Sequence, residues 1–385
     1  MESEISNGVL TIRLSGTLDS SNAPAIQDEI FQRTEGASFD SVVLDLGKLT
    51  YISSAGLRVV LKMRHAFKDF SVVEVSSDVY QIFNMTGFAQ MMPIKKALKE
   101  VDVSNAELIG EGYCSYVYRL DKDTIIKVFK HASDTSEVEG ELNLAKRAFV
   151  LGIPTAISFD IVKVKDKFGV RFEMLDCKSL RDMIRDEPEN FESYKKTYAE
   201  LLKKIGETES MSDDLPDMKD GFFERLEIAK DDLDPAIYEK LHAFIASVPD
   251  RKTFVHGDCH VKNIMVRDGE FFLIDMETLS VGHPIFEYAL LSAPSVIFEQ
   301  DDPGNSLRFF GLDSAILQDL FDAVLKKCFG DAYSPEVVDQ VMILGYIHML
   351  WWYRKNEPQE TARFAGVKGR LLALAEKYPD LKFRA

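Results

Sequence analysis

The strongest chemical signal in this sequence is an aspartate and an asparagine five positions apart, followed by a second aspartate. Asp258 and Asn263 lie in HGDCHVKN (256–263), and Asp275 ends the apolar run FFLID twelve residues later. An aspartate can orient an attacking hydroxyl and accept its proton, while an asparagine and a second aspartate can hold Mg²⁺ against nucleotide phosphates. The pattern therefore predicts phosphoryl transfer, with Asp258 as base and with Asn263 and Asp275 as metal ligands.

Two strand ends joined by a turn must position these side chains. The run from Glu270 to Ile274 is typical of a short strand, and Asp275 follows it directly. The spacing from Asp258 to Asn263 equals that of a protein-kinase catalytic loop. Since one such match can arise by chance, the prediction requires the other half of a nucleotide site upstream.

The segment ELIGEGYCSYVYRLDKDTIIKVFK (107–130) supplies that half. Gly110 and Gly112, followed by Val117, match the first part of a kinase glycine-rich loop, with Ser115 where the third glycine would lie. Lys127 lies among apolar strand residues, so its ammonium must point outward or be paired. In a kinase this lysine reaches the α- and β-phosphates of ATP and a glutamate on a helix.

The helix glutamate is expected in SEVEGELNLAKRAFVLGIP (136–154). Glu141 fits best because apolar residues on a plausible core face follow it, and Glu139 is the alternative. Further on, two predicted strands lead into FEML. This position corresponds to an interlobe hinge, where backbone groups near Glu173 and Leu175 would bind adenine.

These motifs, in this order, resemble those of the aminoglycoside phosphotransferase and choline kinase-like family over about residues 105–355. The matching segments are GEG (110–112), Lys127, HGDCHVKN, IDME (274–277) and GHPIFEYA. The resemblance implies a two-lobed α+β protein kinase-like fold with a largely helical C-lobe. It also implies ATP, Mg²⁺ and transfer of the γ-phosphoryl group to an alcohol.

The resemblance also assigns roles to individual residues of the catalytic stretch. His256 is expected to hold the loop, His260 to cap it or to lie near substrate, and Glu277 to tune the metal aspartate. The family usually has an aspartate where this chain has Glu287, and we expect the longer acid to anchor the loop. The cluster Trp351–Tyr353 predicts core packing rather than a ligand-stacking site.

The first hundred residues show a different pattern, in which strands and helices alternate. Residues 9–18 and 40–49 are typical of strands, Asn22 is expected to cap a helix through Ala25–Thr34, and a pair of serines opens the helix after TYI. Such alternation predicts a small α/β sandwich with helices over a largely parallel sheet.

The segment LDLGKLTYISSAGLRVVL resembles the signature of the STAS domain, the fold of anti-sigma factor antagonists, over roughly residues 3–100. In that family a serine at the start of this helix is phosphorylated by a partner kinase, and the matching position is Ser54. A phosphate there would lie on free N–H groups at the positive helix end. Phosphorylated members usually have an aspartate where this chain has Ser53, and either serine can instead be a simple helix cap.

The amino-acid composition limits which classes of partner and which cellular compartment are expected. The formal net charge of −17 argues against nucleic acid and anionic membranes as partners. The four cysteines are scattered without metal-ligand spacing, so neither zinc nor disulfides are predicted. The polar start MESEISNG and the lack of a long apolar run predict no signal peptide, no membrane span and a cytoplasmic location.

The sequence thus predicts two domains, a STAS-like domain at 1–100 and a kinase-like domain at 105–385 with lobes at about 105–175 and 176–385. The favoured function is an ATP- and Mg²⁺-dependent phosphotransferase acting on an alcohol, either a small molecule or a protein, coupled to a STAS signalling module. The alternative is a nucleotide-sensing regulator whose STAS domain binds an anti-sigma-type partner. An aminoglycoside-inactivating enzyme and a kinase that modifies its own Ser54 are further hypotheses.

Overall fold

The computed structural model describes residues 1–112, 114–132, 134–210, 214–267 and 269–384. Contacts divide the chain into two compact units, Met1–Asp102 with Val162–Lys165, and Val103–Ile161 with Asp166–Ala385. The described part contains no helix that is both long and apolar enough to cross a membrane.

Strands and helices alternate along the first unit, as the sequence predicted. In chain order the elements are β1 (Glu2–Ser6), β2 (Val9–Leu18), α1 (Ala23–Thr34), β3 (Ser41–Ile52), α2 (Ser54–Ala66), β4 (Phe70–Val75), α3 (Ser77–Met85), α4 (Phe88–Met91), β5 (Ile94–Lys96) and β6 (Lys99–Glu100). The sheet order is β1-β2-β3-β4-β5; β1 is antiparallel to β2, and the later neighbours are parallel. The predicted α/β sandwich is confirmed.

The start of helix α2 is fixed by the pair of serines and a glycine. The Ser53 hydroxyl accepts hydrogen bonds from the N–H groups of Ala55 (3.2 Å) and Gly56 (3.4 Å), so Ser53 is the helix cap. Ser54 is the first helical residue and is exposed. A Cβ at Gly56 would lie 2.6 Å from the Leu18 carbonyl oxygen, so only glycine allows α2 to approach the end of β2 this closely.

The prediction that the Asn22 side chain caps helix α1 is wrong. Helix α1 does begin directly after Asn22, but the Asn22 side chain makes no hydrogen bond to the helix. Its Oδ1 accepts from the Asp19 N–H (2.9 Å), and its Nδ2 donates to the Thr17 carbonyl (2.8 Å). The side chain closes the preceding turn instead, because a short amide can satisfy nearby backbone groups on either side.

The second unit begins with an antiparallel sheet, and one long helix packs against it. Its elements are β7 (Glu107–Glu111), β8 (Ser115–Arg119), β9 (Thr124–Phe129), α5 (Ser136–Val150), β10 (Ser158–Val164) and β11 (Lys167–Glu173). The strand order is β10-β11-β9-β8-β7, with β9 antiparallel to both of its neighbours. Phe129, Val138, Leu142 and Val170 form a small buried cluster between the sheet and α5.

The remainder of this unit is mainly helical, as predicted for a kinase-like C-lobe. The elements are β12 (Lys178–Ser179), α6 (Leu180–Asp186), α7 (Phe191–Glu207), α8 (Met218–Ile228), α9 (Pro235–Ser247), β13 (Thr253–Val255), β14 (Ile264–Arg267), β15 (Glu270–Leu273), β16 (Ser280–Gly282), α10 (Ile285–Ser292), α11 (Phe298–Asp301), α12 (Asn305–Phe310), α13 (Ser314–Phe329), α14 (Pro335–Asn356) and α15 (Thr361–Lys377). Strands β14 and β15 pair as an antiparallel hairpin, and β13 pairs with β16. These short strands flank the predicted catalytic residues and pack on a large apolar core.

We predict that Ser53→Ala destabilises the first unit, while Ser54→Ala leaves its stability nearly unchanged. Loss of the cap should cost about 1 kcal/mol, because two N–H groups of the first helical turn lose their side-chain acceptor. Ser54 is exposed at the same helix end and serves as the matched control. Urea unfolding followed by circular dichroism measures the difference, and equal effects of both substitutions would contradict the assignment of the cap.

Candidate active site

His256 stabilises the predicted catalytic loop from within. Its Nδ1 accepts the Asp258 N–H (3.2 Å), and its Nε2 lies 3.1 Å from the Ile274 carbonyl oxygen. A ring that accepts at one nitrogen and donates at the other is neutral, and burial lowers the pKa of His256 to about 4. The expectation that His256 holds the loop is confirmed by these hydrogen bonds, which link the start of the loop to the end of β15.

Glu287 anchors the same loop from helix α10. Its Oε2 accepts the N–H groups of His256 (2.5 Å) and Gly257 (3.0 Å). Gly257 has a positive φ of 84°, and a Cβ there would lie 2.9 Å from the Thr278 Cβ, so the turn requires glycine. Burial raises the pKa of Glu287 to about 7, although the backbone N–H groups oppose that rise. The expected anchoring by a longer acid is confirmed by these contacts.

Asp258 and Asn263 lie together, as predicted. The Asn263 Nδ2 donates to the Asp258 carbonyl (3.0 Å) and to its Oδ2 (2.9 Å). The other carboxylate oxygen of Asp258 lies 3.6 Å from the His260 Nε2, and 43% of the Asp258 side chain is exposed. Although this part of the side chain is exposed, the protein groups packed around the carboxylate desolvate it and raise the pKa of Asp258 above its usual value, and the negative charges of Asp275 and Glu277 add to the rise.

Lys127, on strand β9, contacts the other two parts of the site, Glu141 on helix α5 and Asp275 after strand β15. Its Nζ lies 2.9 Å from the Glu141 Oε1 and 2.8 Å from the Asp275 Oδ1. Burial acts to lower the pKa of Lys127, but the charges of Asp275 and Glu141 outweigh it, and the pKa lies above its usual value. Glu139 is exposed, whereas Glu141 is buried, so the structure decides between these two alternatives in favour of Glu141.

Glu141, Asp275 and Glu277 form a carboxylate cluster around this lysine. One oxygen of each lies within 4.8 Å of the others. Burial raises the pKa of Glu141 to about 7, and its Oε2 is buried with no hydrogen-bond partner in the described chain. Asp275 has a left-handed φ of 68°. Oxygen ligands of this kind suit Mg²⁺, so the residues present fit a divalent cation.

The remaining predicted residues lie in the β7–β8 hairpin and at the hinge. Gly110 pairs with Val117 in the hairpin, and the Gly112 N–H donates to the Ser115 carbonyl (2.9 Å). At the hinge, the Glu173 N–H donates to the Ile157 carbonyl (2.8 Å), and the Leu175 carbonyl accepts from the Cys177 N–H (3.0 Å). Those two hinge groups are therefore already bonded.

The sequence did not predict the contact between Lys127 and Asp275, which lie 148 positions apart. It also predicted that Trp351 packs in the core with Trp352 and Tyr353. Trp352 does pack against Phe298, and Tyr353 is buried. Trp351, in contrast, is half-buried and has an arginine and a lysine over its ring.

Comparison with known protein families finds a match for two parts of the chain. The family described as "Phosphotransferase enzyme family" matches residues 105–311, more than half of the 385-residue chain. The STAS domain matches residues 1–101. The chain therefore belongs to the phosphotransferase enzyme family and carries an N-terminal STAS domain.

The curated proteins similar to this chain include two that are named as anti-sigma factor antagonists. The chain is 36% identical over 92 residues to BtrV of Bordetella bronchiseptica, named as a putative anti-sigma factor antagonist; the match covers 23% of this chain and 78% of BtrV. It is 29% identical over 111 residues to the anti-sigma F factor antagonist of Paenibacillus polymyxa, covering 27% of this chain and 95% of that protein. Among solved structures, the gentamicin complex of APH(2″)-IIa is 16% identical, with a TM-score of 0.47, and the match covers 73% of this chain and 94% of that chain.

We predict that Glu287→Gln alters how stability depends on pH. A pKa that rises from its usual value of 4.5 to about 7 on folding means that the folded state binds more protons between these values. The Glu287 contribution to stability is therefore present below about pH 4.5 and is lost as the pH rises to about 7. The loss amounts to roughly 1.4 kcal/mol for each pH unit within that interval.

Glutamine does not titrate, so the variant should lose this component of the pH dependence. Urea midpoints measured across the interval and just above it test the prediction, with the exposed Glu189 changed to glutamine as control. An unchanged slope in Glu287→Gln would contradict the raised pKa.

Proposed function

We propose that the second unit transfers the γ-phosphoryl group of ATP to an alcohol. The observation that carries this proposal is the placement of Lys127, Glu141 and Asp275 in one contact network beside the Asp258–Asn263 pair. Phosphoryl transfer relies on positioning and on charge stabilisation, which these groups can supply. Membership of the phosphotransferase family supports the same reaction class.

In the proposed reaction Asp258 receives the proton of the acceptor hydroxyl. The hydroxyl oxygen forms a bond to the γ-phosphorus while the bond from that phosphorus to the β,γ-bridging oxygen breaks, and ADP leaves. Asn263 holds the Asp258 carboxylate in place through a 2.9 Å hydrogen bond. A pKa above the usual aspartate value makes Asp258 a better proton acceptor during this step.

For the nucleotide, Lys127 would exchange its contact with Asp275 for the α- and β-phosphates while keeping Glu141. Gly110 and Gly112 would place the β7–β8 hairpin over the phosphates, and backbone groups near Glu173 and Leu175 would face adenine. Since the Glu173 N–H is already bonded, other backbone groups of this hinge would have to make the adenine contacts.

Asn263 and Asp275 would hold Mg²⁺, with the Glu277 carboxylate near enough to Asp275 to contribute. A bound Mg²⁺ supplies positive charge that offsets the charge of the transferred group. Release of Asp275 by Lys127 would leave that carboxylate free for this role.

For the first unit we propose a signalling role through a protein partner of the anti-sigma type. Its similarity to anti-sigma factor antagonists supports this role. Ser54 is the candidate phospho-acceptor, because it is exposed at the start of α2 while Ser53 is the cap. A phosphate on Ser54 would lie at the positive end of that helix.

We predict that Asp258→Asn lowers phosphotransfer by at least about a hundredfold while ATP binding persists. The amide keeps the shape of the side chain but cannot accept the proton. ADP release with a panel of alcohols measures the rate, and calorimetric titration with Mg²⁺-ATP measures binding. Undiminished turnover in the variant would exclude Asp258 as base. If the unmodified protein does not bind ATP, a role without catalysis would be favoured.

We also predict the outcome for Ser54. If the kinase unit acts on its own first unit, incubation with Mg²⁺-ATP adds one phosphate to the Ser54 peptide, and Asp258→Asn and Ser54→Ala both abolish it. Intact and peptide mass spectrometry provides the measurement. A protein that binds ATP and remains unmodified would restrict the acceptor to another molecule.

A further inference from the structure

A half-buried arginine in the helical lobe lacks a counter-ion. Arg225 on α8 has its guanidinium carbon 4.9 Å from the Phe222 ring centroid and 5.2 Å from that of Trp351. Its Nη1 donates to the Met218 sulfur (3.3 Å), and its buried Nε has no hydrogen-bond partner in the described chain. Among the described residues no carboxylate forms an ion pair with it. Burial lowers the pKa of Arg225 to about 10, although the charge of Glu224 opposes the fall.

This arrangement is costly unless something compensates the charge. Buried cations in proteins are normally paired, because removing a charge from water is unfavourable. Even three partly exposed arginines of this lobe have acidic partners: Arg354 pairs with Asp232, Arg363 with Asp302, and Arg370 with Asp301. Arg225 therefore has the character of a binding group whose partner comes from outside the chain.

The side chains that contact the Trp351 ring beside Arg225 add no negative charge. His348 lies with its ring 5.4 Å from the Trp351 ring, and its buried Nδ1 has no partner among the described residues. The Lys355 ammonium lies 5.1 Å from the centroid of the Trp351 ring. Because Trp351 already contacts two cations of the protein, it is unsuited to stacking against a cationic ligand. The charged side chains of the cluster of Arg225, His348, Trp351 and Lys355 (the cationic cluster) are Arg225 and Lys355, because burial lowers the pKa of His348 to about 3 and leaves its ring neutral. Both charges are positive, so the cationic cluster favours an anion.

The cationic cluster belongs to the same lobe as the metal-type carboxylates and lies near them. The Phe222 ring, which contacts Arg225, stacks 4.8 Å from the ring of Phe286 on α10, the helix that carries Glu287. Helix α8 also packs on the strand that follows Glu277, since a Cβ at Gly282 would lie 3.2 Å from the Met218 Cβ. A ligand at the cluster can therefore extend toward the catalytic loop.

We propose that Arg225, supported by Lys355 and Trp351, binds an anionic group of the acceptor, a carboxylate or a phosphate. The inference rests on the proposed phosphotransfer and specifies its substrate class as a small hydroxy acid or a phosphorylated alcohol. The guanidinium group of an arginine can donate two parallel hydrogen bonds to two oxygens of a carboxylate or a phosphate. Amino sugars and other polycations would meet repulsion from Arg225 and Lys355.

The test uses full-length protein with Mg²⁺-ATP and a matched set of three-carbon alcohols: glycerate, glycerol 3-phosphate, glycerol and 3-amino-1,2-propanediol. We expect the two anions to be phosphorylated with KM at least about tenfold below that of glycerol, and the amine to react least. Arg225→Gln should raise the KM for the anions about tenfold or more and leave the KM for ATP unchanged, while Arg225→Lys retains part of the preference. Arg354→Gln, on the same helix as Trp351 but paired with Asp232, is the control.

A binding measurement separates this inference from the proposed reaction. The chain has two tryptophans, so Trp352→Phe leaves Trp351 as the sole indole reporter. Inorganic phosphate should change its fluorescence, and Arg225→Gln in the same background should abolish the change.

The outcomes of these experiments are distinguishable. A lower KM for glycerol or the amine, unaffected by Arg225→Gln, would overturn the anionic acceptor and leave phosphotransfer intact. Absence of turnover with every alcohol together with absence of ATP binding would overturn the reaction, and the fluorescence titration would still decide whether Arg225 binds an anion. No fluorescence response to phosphate, glycerate or glycerol 3-phosphate would overturn the anion site itself.

Discussion

The second unit depends on one ammonium group. Lys127 is largely removed from water and is tolerated there because two carboxylates, on α5 and after β15, contact it at 2.9 and 2.8 Å. A buried lysine without these partners would be strongly unfavourable. The same pairing stabilises the carboxylates, since Glu141, Asp275 and Glu277 would otherwise repel one another at close range. A single cation therefore contacts groups from the sheet, the long helix and the hairpin that precedes Asp275, in addition to the apolar packing of these elements.

Several acidic residues of the site each have a raised pKa, and the main cause is the same for all of them. Burial is the largest contribution for Asp258, Glu141 and Glu287. Each of these carboxylates has a specific partner, namely an amide, an ammonium or backbone N–H groups. Several buried acids close together lower the stability of the folded protein at pH values above their pKa values, because they are then charged. Proteins tolerate this cost at sites where a charged or proton-accepting group is needed.

Charge also separates the parts of the C-lobe. Carboxylates dominate around Asp275, where a metal ion suits them, while the cations Arg225 and Lys355 contact the Trp351 ring without an acidic contact among the described residues. The net charge of −17 conceals this distribution, because a sum over the chain contains no positions. In the first unit a comparable division occurs at the start of α2, where Ser53 satisfies the backbone and Ser54 stays exposed.

The sequence alone determined the local elements and the order of the site residues. Strand β2 covers Val9–Leu18 as its alternation predicted, and the helix after the serine pair begins at Ser54, because both depend on neighbouring residues. The structure buries Glu141 and exposes Glu139, in agreement with the preference that the apolar spacing of α5 already gave. Only the tertiary structure brought Lys127 to Asp275 across 148 positions and left Arg225 without a paired carboxylate among the described residues. It also turned the Asn22 side chain away from the helix it was expected to cap. Such pairings depend on how elements distant in sequence pack together, and periodicity and spacing carry no information about that packing.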